Sequence, residues 1–151
     1  MPSFRTRRRV AHSAEDMFAL VADVEKYPQF VPLCQRLIVR RRDQREDGRT
    51  VLLAQMTVAY SFFQETFTSR VTLDPAHRII DVEYVDGPFR HMENRWQFHA
   101  VDDGHCEVDF FIDWEMRSRT LGAMVGGVFE RAFRRFAGAF EARANKIYRT
   151  A

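Results

Sequence analysis

Five histidines, His12, His77, His91, His99 and His105, are the side chains here best suited to metal or proton chemistry. A metal site on a helix needs two ligands at i and i+4, and a zinc site commonly adds a Cys-x-x-Cys pair. None of the five has such a companion, and they fall in turns or on strands that face solvent, so no metal ligands are expected. Gly122, Gly126 and Gly127 lack the lysine and the preceding strand of a phosphate-cradling loop, and no Gly-x-Ser-x-Gly elbow occurs. Hydrolase or kinase chemistry has no residues to carry it. The expectation is a protein with no catalytic residues and no cofactor.

Glu65 is the one acidic residue placed to do something else. It lies between Phe63 and Phe67 on the strand face that also carries Val71 and Leu73, so regular alternation aims it inward. A carboxylate held among aromatics can hydrogen-bond a polar group on a ligand. A bulge or an edge position would turn it to solvent instead, and alternation alone leaves both open.

These residues need elements to hold them. The chain has 151 residues, 46% apolar and 29% charged, the balance of one globular domain over 1–151 and not of a disordered chain. The departure is 14 Phe beside 2 Trp and 4 Tyr. Phe is large and has no polar handle, so the fold must supply a big apolar interior. Uninterrupted apolar runs such as Phe18–Ala22 stay far short of the about 20 residues that cross a bilayer. The basic start, Met1 to Arg9, lacks the apolar core and cleavage site of a secretory signal, so a cytoplasmic chain is expected. In that reducing compartment Cys34 and Cys106 read as two buried free thiols.

The periodicity lays out a simple order. Residues 3–10 read as a strand, and Ser13 caps a helix that runs to about Asp23 with Met17, Phe18, Leu20, Val21 and Val24 on its apolar face. Pro28 and Pro32 leave room for one short helical turn at most. Strands of period two follow at 33–44, 49–60, 63–73, 78–86, 91–102 and 105–116, separated by Asp47-Gly48, Asp74-Pro75, Gly87-Pro88 and Asp103-Gly104. The last strand puts Cys106, Val108, Phe110, Ile112, Trp114 and Met116 on one face. Glu107, Asp109, Asp113 and Glu115 take the other, with Phe111 the exception. From Leu121 to Tyr148 apolar residues recur every three or four, giving one amphipathic helix of about 30 residues whose stripe is built largely of Phe. The economical packing is an α+β one, a strongly curved seven-stranded antiparallel sheet wrapped around that helix.

One helix against such a sheet does not easily fill its concave side, and three glycines between Gly122 and Gly127 loosen the helix start. The elbow from Tyr27 to Pro32, with Phe30 and Val31 exposed by its prolines, is placed to cover a cavity mouth. A large apolar pocket with few polar groups suits a lipid-like molecule. The net charge is only +2, but all of the 23 basic residues except Lys26 and Lys146 are arginine. The clusters at Arg7–Arg9, Arg40–Arg42, and Arg131 with Arg134 and Arg135 are solvated faces that also suit anionic lipid or RNA phosphate.

The segment Val21-Ala22-Asp23-Val24-Glu25-Lys26-Tyr27-Pro28-Gln29-Phe30-Val31-Pro32-Leu33-Cys34 resembles the V-x-D-V-E-x-Y-P-x-F-x-P-x-C signature of the coenzyme Q-binding, START-like family. That family is grouped with polyketide cyclases and includes the bacterial ribosome-association toxin. Phe67-Thr68-Ser69-Arg70-Val71, Gly87-Pro88-Phe89, Trp96-Gln97-Phe98 and Phe110 extend the match, and the helix around Phe129 carries it over nearly the whole chain. Glu115 and Met116-Arg117 depart from the more neutral pattern expected before the last helix, near the tunnel entrance.

The resemblance implies a helix-grip (START/Bet v 1-like) fold and a hydrophobic tunnel that binds ubiquinone or a related isoprenoid lipid without catalysis. The residues expected along that tunnel are Phe30, Val31, Met56, Val58, Glu65, Met92, Trp96, Phe110, Trp114, Phe129, Phe133 and Phe136. Arginine clusters would hold the protein at the inner face of an anionic bacterial membrane. Two other readings follow from the same relatives: a toxin-like factor that binds the large ribosomal subunit and blocks subunit association, and an aromatase or cyclase. The last would need acid–base groups inside the cavity.

Overall fold

Ser13 opens the first helix as its side chain suggests. Its hydroxyl accepts from the Asp16 amide at 3.1 Å, and Glu15 and Asp16 sit at the positive end of the helix dipole. The computed structural model describes residues 3–61 and 63–148. In chain order the elements are β1 (Ser3–Val10), α1 (Ala14–Ala22), a 3-10 helix (Val24–Gln29), β2 (Cys34–Gln44), β3 (Thr50–Tyr60), β4 (Phe63–Asp74), β5 (Ile79–Asp86), β6 (Phe89–Asp102), β7 (His105–Met116) and α2 (Arg119–Ile147).

The 3-10 helix is six residues long, more than the single short turn expected there. It consists of two abutting turns, closed by Lys26 N–H on the Asp23 carbonyl at 3.2 Å and Phe30 N–H on the Tyr27 carbonyl at 3.1 Å. Pro28 is the first residue inside the second turn, where a missing N–H costs nothing.

The strands form one antiparallel sheet in the order β1-β7-β6-β5-β4-β3-β2. β2 to β7 follow one another as a meander, and β1 pairs with β7, Ser3 opposite Asp113 and Val10 opposite Cys106. β1 and β2 are therefore the two edges, joined by α1 and the 3-10 helix. The turn before Phe89 needs its glycine: Gly87 has φ +145°, and a Cβ there would stand 2.5 Å from that of Phe67. The sheet curves around α2, whose 29 residues span roughly 44 Å at about 1.5 Å each. This is the helix-grip arrangement that the resemblance implies.

The core sits between the concave face, α2 and α1. All six inward residues of β7 are buried, Cys106 and Phe110 completely. On the opposite face Asp109 is buried as well, because Arg5 and Arg7 from β1 close over its carboxylate at 3.3 and 3.4 Å. Phe111, which breaks the alternation, lies under the Arg5 guanidinium at 5.7 Å, a cation–π contact that replaces burial. The rest of the convex face is a polar mosaic tied by cross-strand pairs such as Arg95–Asp81 at 2.7 Å.

Candidate functional site

Inward alternation on β3 to β7 brings a row of apolar side chains to the concave face, and the apolar stripe of α2 lies across them. The two surfaces do not meet everywhere. A hollow of about 100 Å³ remains between them, closed at one side by the 3-10 helix and the turn after it. Its wall contains Met56, Val58, Met92, Trp96, Phe129, Phe133 and Phe136 of the residues expected along a tunnel.

The other five expected residues lie off the hollow. Phe110 is fully buried behind it, with ring centres 4.6 Å from Trp96 and 6.1 Å from Phe136. Trp114 is buried edge-on against Phe133 at 4.8 Å. Val31 is buried and not exposed as expected, because the second 3-10 turn folds it back with its N–H on the Tyr27 carbonyl at 2.8 Å. Phe30 is half-buried, edge-on to Phe140 at 5.0 Å, with the Arg143 guanidinium 5.3 Å from its ring centre. The elbow does cap the hollow, but through Tyr27, Pro32 and Leu33.

Glu65 keeps its face. It stands opposite Val58 with no bulge between β3 and β4, half-buried, outside the wall. Pairing of β5 with β4 stops at Asp86 opposite Thr68, so Glu65 lies on the stretch of β4 that runs past β5.

Three polar side chains in the wall are not among the residues expected along the tunnel: Tyr27, Ser69 and Asn94. The Tyr27 hydroxyl donates to the Val21 carbonyl, and burial pushes the phenol far above its ordinary range, so it stays protonated. Asn94, between Met92 and Trp96, donates from Nδ2 to the Phe111 carbonyl at 2.8 Å. Ser69 is 4% exposed, and its Oγ meets no hydrogen-bond partner. Alternation signalled both, since each sits at a core-facing position between apolar neighbours. The wall carries no charged side chain among the described residues.

The remaining chemistry-bearing residues are engaged elsewhere. His12 is buried, against the expectation that the histidines face solvent, and bonds Asn145 at 2.7 Å. His77, His91 and His105 pair with Asp74, Asp113 and Asp102 at 2.9, 3.1 and 2.8 Å, while His99 is exposed. Cys34 and Cys106 are free and buried, and burial raises both thiols to about 11, which keeps them inert. In the arginine clusters several heads hold carboxylates: Arg7 on Asp109, Arg8 on Glu141, Arg41 on Asp43, Arg42 on Glu25 and Arg134 on Glu130. Arg9, Arg131 and Arg135 are exposed.

A curved sheet gripping a terminal helix over an apolar hollow has counterparts among known proteins. The family described as polyketide cyclase / dehydrase and lipid transport matches residues 10–141. The chain belongs to this family. Among family relatives, the ribosome association toxin RatA of Vibrio cholerae is 32% identical over 139 residues, 92% of this chain and 92% of that protein. The coenzyme Q-binding protein COQ10 homolog B, mitochondrial, of Xenopus laevis is 29% identical over 139 residues. That match covers 90% of this chain and 55% of the frog protein, so the chain spans about half its length. Among solved structures, the Zhui aromatase/cyclase of a Streptomyces superposes with a TM-score of 0.82 at 22% identity, covering 99% of this chain and 96% of that one. That likeness is one of fold.

Proposed function

We propose that this family member binds a neutral quinone or isoprenoid lipid without transforming it, in the hollow between the sheet and α2, in support of respiratory quinone function. The observation that carries the reading is the wall itself, aromatic and aliphatic with no charged side chain among the described residues. Such a wall favours an uncharged, ring-bearing guest and disfavours carboxylates and phosphates, whose desolvation nothing there would offset. Catalysis has little to work with: among the described residues Tyr27 is the only titratable group in the wall, and its hydroxyl is committed to Val21. The similarity to a protein named for coenzyme Q binding points the same way.

Size sets a condition. The hollow of about 100 Å³ is smaller than the roughly 300–1,000 Å³ of ordinary ligand sites, so a guest must push the wall apart. Met56, Phe67 and Phe136 are only half-buried, and Met adapts readily, so these side chains are the ones free to swing. Trp96 lies in the wall and supplies the readout. Titration with a short-chain ubiquinone should quench tryptophan fluorescence saturably, and Trp96→Phe should remove most of the quenching while Trp114 remains. Absence of quenching, together with no lipid in solvent extracts of the purified protein, overturns the proposal.

A second reading is favoured by the similarity to RatA over 92% of both chains. Exposed arginines such as Arg9, Arg131 and Arg135 would then contact RNA phosphates. Binding to the large ribosomal subunit should fall steeply with salt, the log of affinity dropping by about 0.7–0.9 per phosphate contact per log unit of salt. Failure to co-sediment even at low salt removes this reading.

A further inference from the structure

Serine is an odd choice for a strand position that faces an aromatic interior. Ser69 stands on β4 between Phe67 and Val71, all three in the wall of the hollow. Its Oγ is buried with no hydrogen-bond partner, the one such side-chain atom found among the described residues. Alanine would fit that place without the cost of desolvating a hydroxyl. The β4–β5 register slips beside it, but the extra residue is Val85 on β5, so β4 keeps its alternation and Ser69 stays on the inward face.

Asn94 faces the same hollow from two strands away. Val71, Val82 and Asn94 form one cross-strand row, and Ser69 lies one pleat along from it. The Nδ2 bond to Phe111 fixes which end of the amide is nitrogen and uses one of its two hydrogens, leaving the other free to donate. The wall thus offers a hydroxyl that can donate or accept and an amide set in one orientation, within a surface otherwise apolar except for the occupied Tyr27.

We infer that Ser69 is the anchoring residue of this site. Its hydroxyl donates to an oxygen on the ring of a neutral lipid, the second Nδ2 hydrogen of Asn94 donates to another ring oxygen, and the aromatic wall takes the ring faces. This rests on the lipid-binding reading above and adds to it how the guest is oriented. An oxygenated ring is selected over a hydrocarbon of the same shape, because only the former satisfies Ser69 Oγ.

Ser69→Thr and Ser69→Val give side chains of nearly equal volume that differ by the hydroxyl, so their comparison separates the hydrogen bond from packing. The probes are a short-chain ubiquinone and an alkylbenzene of similar size, the quinone followed by tryptophan quenching and the alkylbenzene by displacement of the quinone. Ser69→Val should bind the quinone about three- to tenfold more weakly than Ser69→Thr, with equal alkylbenzene affinity. The unliganded Ser69→Val protein should be no less stable than Ser69→Thr. Equal quinone affinity in the two variants, or parallel loss of both probes, overturns the anchoring role while lipid binding stands. If neither probe binds the unaltered protein, the binding reading falls and the anchor with it.

Discussion

Gly87 shows how one residue ties the rim of the site to the fold. Its φ of +145° lies where side chains are strained, and a Cβ would meet Phe67 at 2.5 Å. Phe67 is itself in the wall and packs edge-on against Phe89 at 5.5 Å. Gly87→Ala must therefore strain the backbone and displace a wall residue. It should cost about 2–4 kcal/mol, read as a lowered urea midpoint. An unchanged midpoint would mean that the turn can be rebuilt without glycine. The tight approach was not legible in Gly87-Pro88, because the same dipeptide would serve any open turn.

At the scale of elements, the two ends of α2 behave differently. Its later turns bury Phe129, Phe133 and Phe140, while its first turns carry Gly122, Gly126 and Gly127 and leave Met124 59% exposed. No close approach demands the middle glycine, since a Cβ on Gly126 would meet nothing within 4 Å. Its main effect is to loosen the helix. Gly126→Ala should stabilise the protein by about 0.5–1 kcal/mol, seen as a higher melting temperature. A lower one would reveal a contact or a backbone geometry that only glycine satisfies. The helix and its stripe were readable from spacing, as were the strands, because each pattern is written within a few residues. The six-residue 3-10 helix was not, since its second turn depends on Pro28 starting a new turn and not ending the first.

Across the whole molecule, stability and capacity compete for the same space. The aromatic side chains that make the wall apolar also fill most of it, Phe136 standing edge-on to Phe133 at 5.3 Å. Phe136→Ala should cost about 2–3 kcal/mol, less than the loss of a fully buried Phe because this ring is half-buried. The same change should enlarge the hollow and tighten uptake of bulkier quinones, read by denaturation and by quenching titration together. Loss of stability with no gain in uptake would show that the space collapses or that guests enter elsewhere.

The sequence by itself determined the order of elements, the inward faces of β4 and β7, the Ser13 cap of α1 and the apolar stripe of α2. All of these follow from local period and side-chain type. Only the tertiary structure decided which inward residues touch open space. Phe110 and Trp114 share the alternation of Ile112 yet pack solidly against neighbours, while Ile112 reaches the hollow. Ser69 shares the alternation of Phe67 yet ends without a partner. Those outcomes depend on how seven strands curve and how rings from distant segments interlock. No stretch of sequence encodes that on its own, because packing is settled by all the contacts at once.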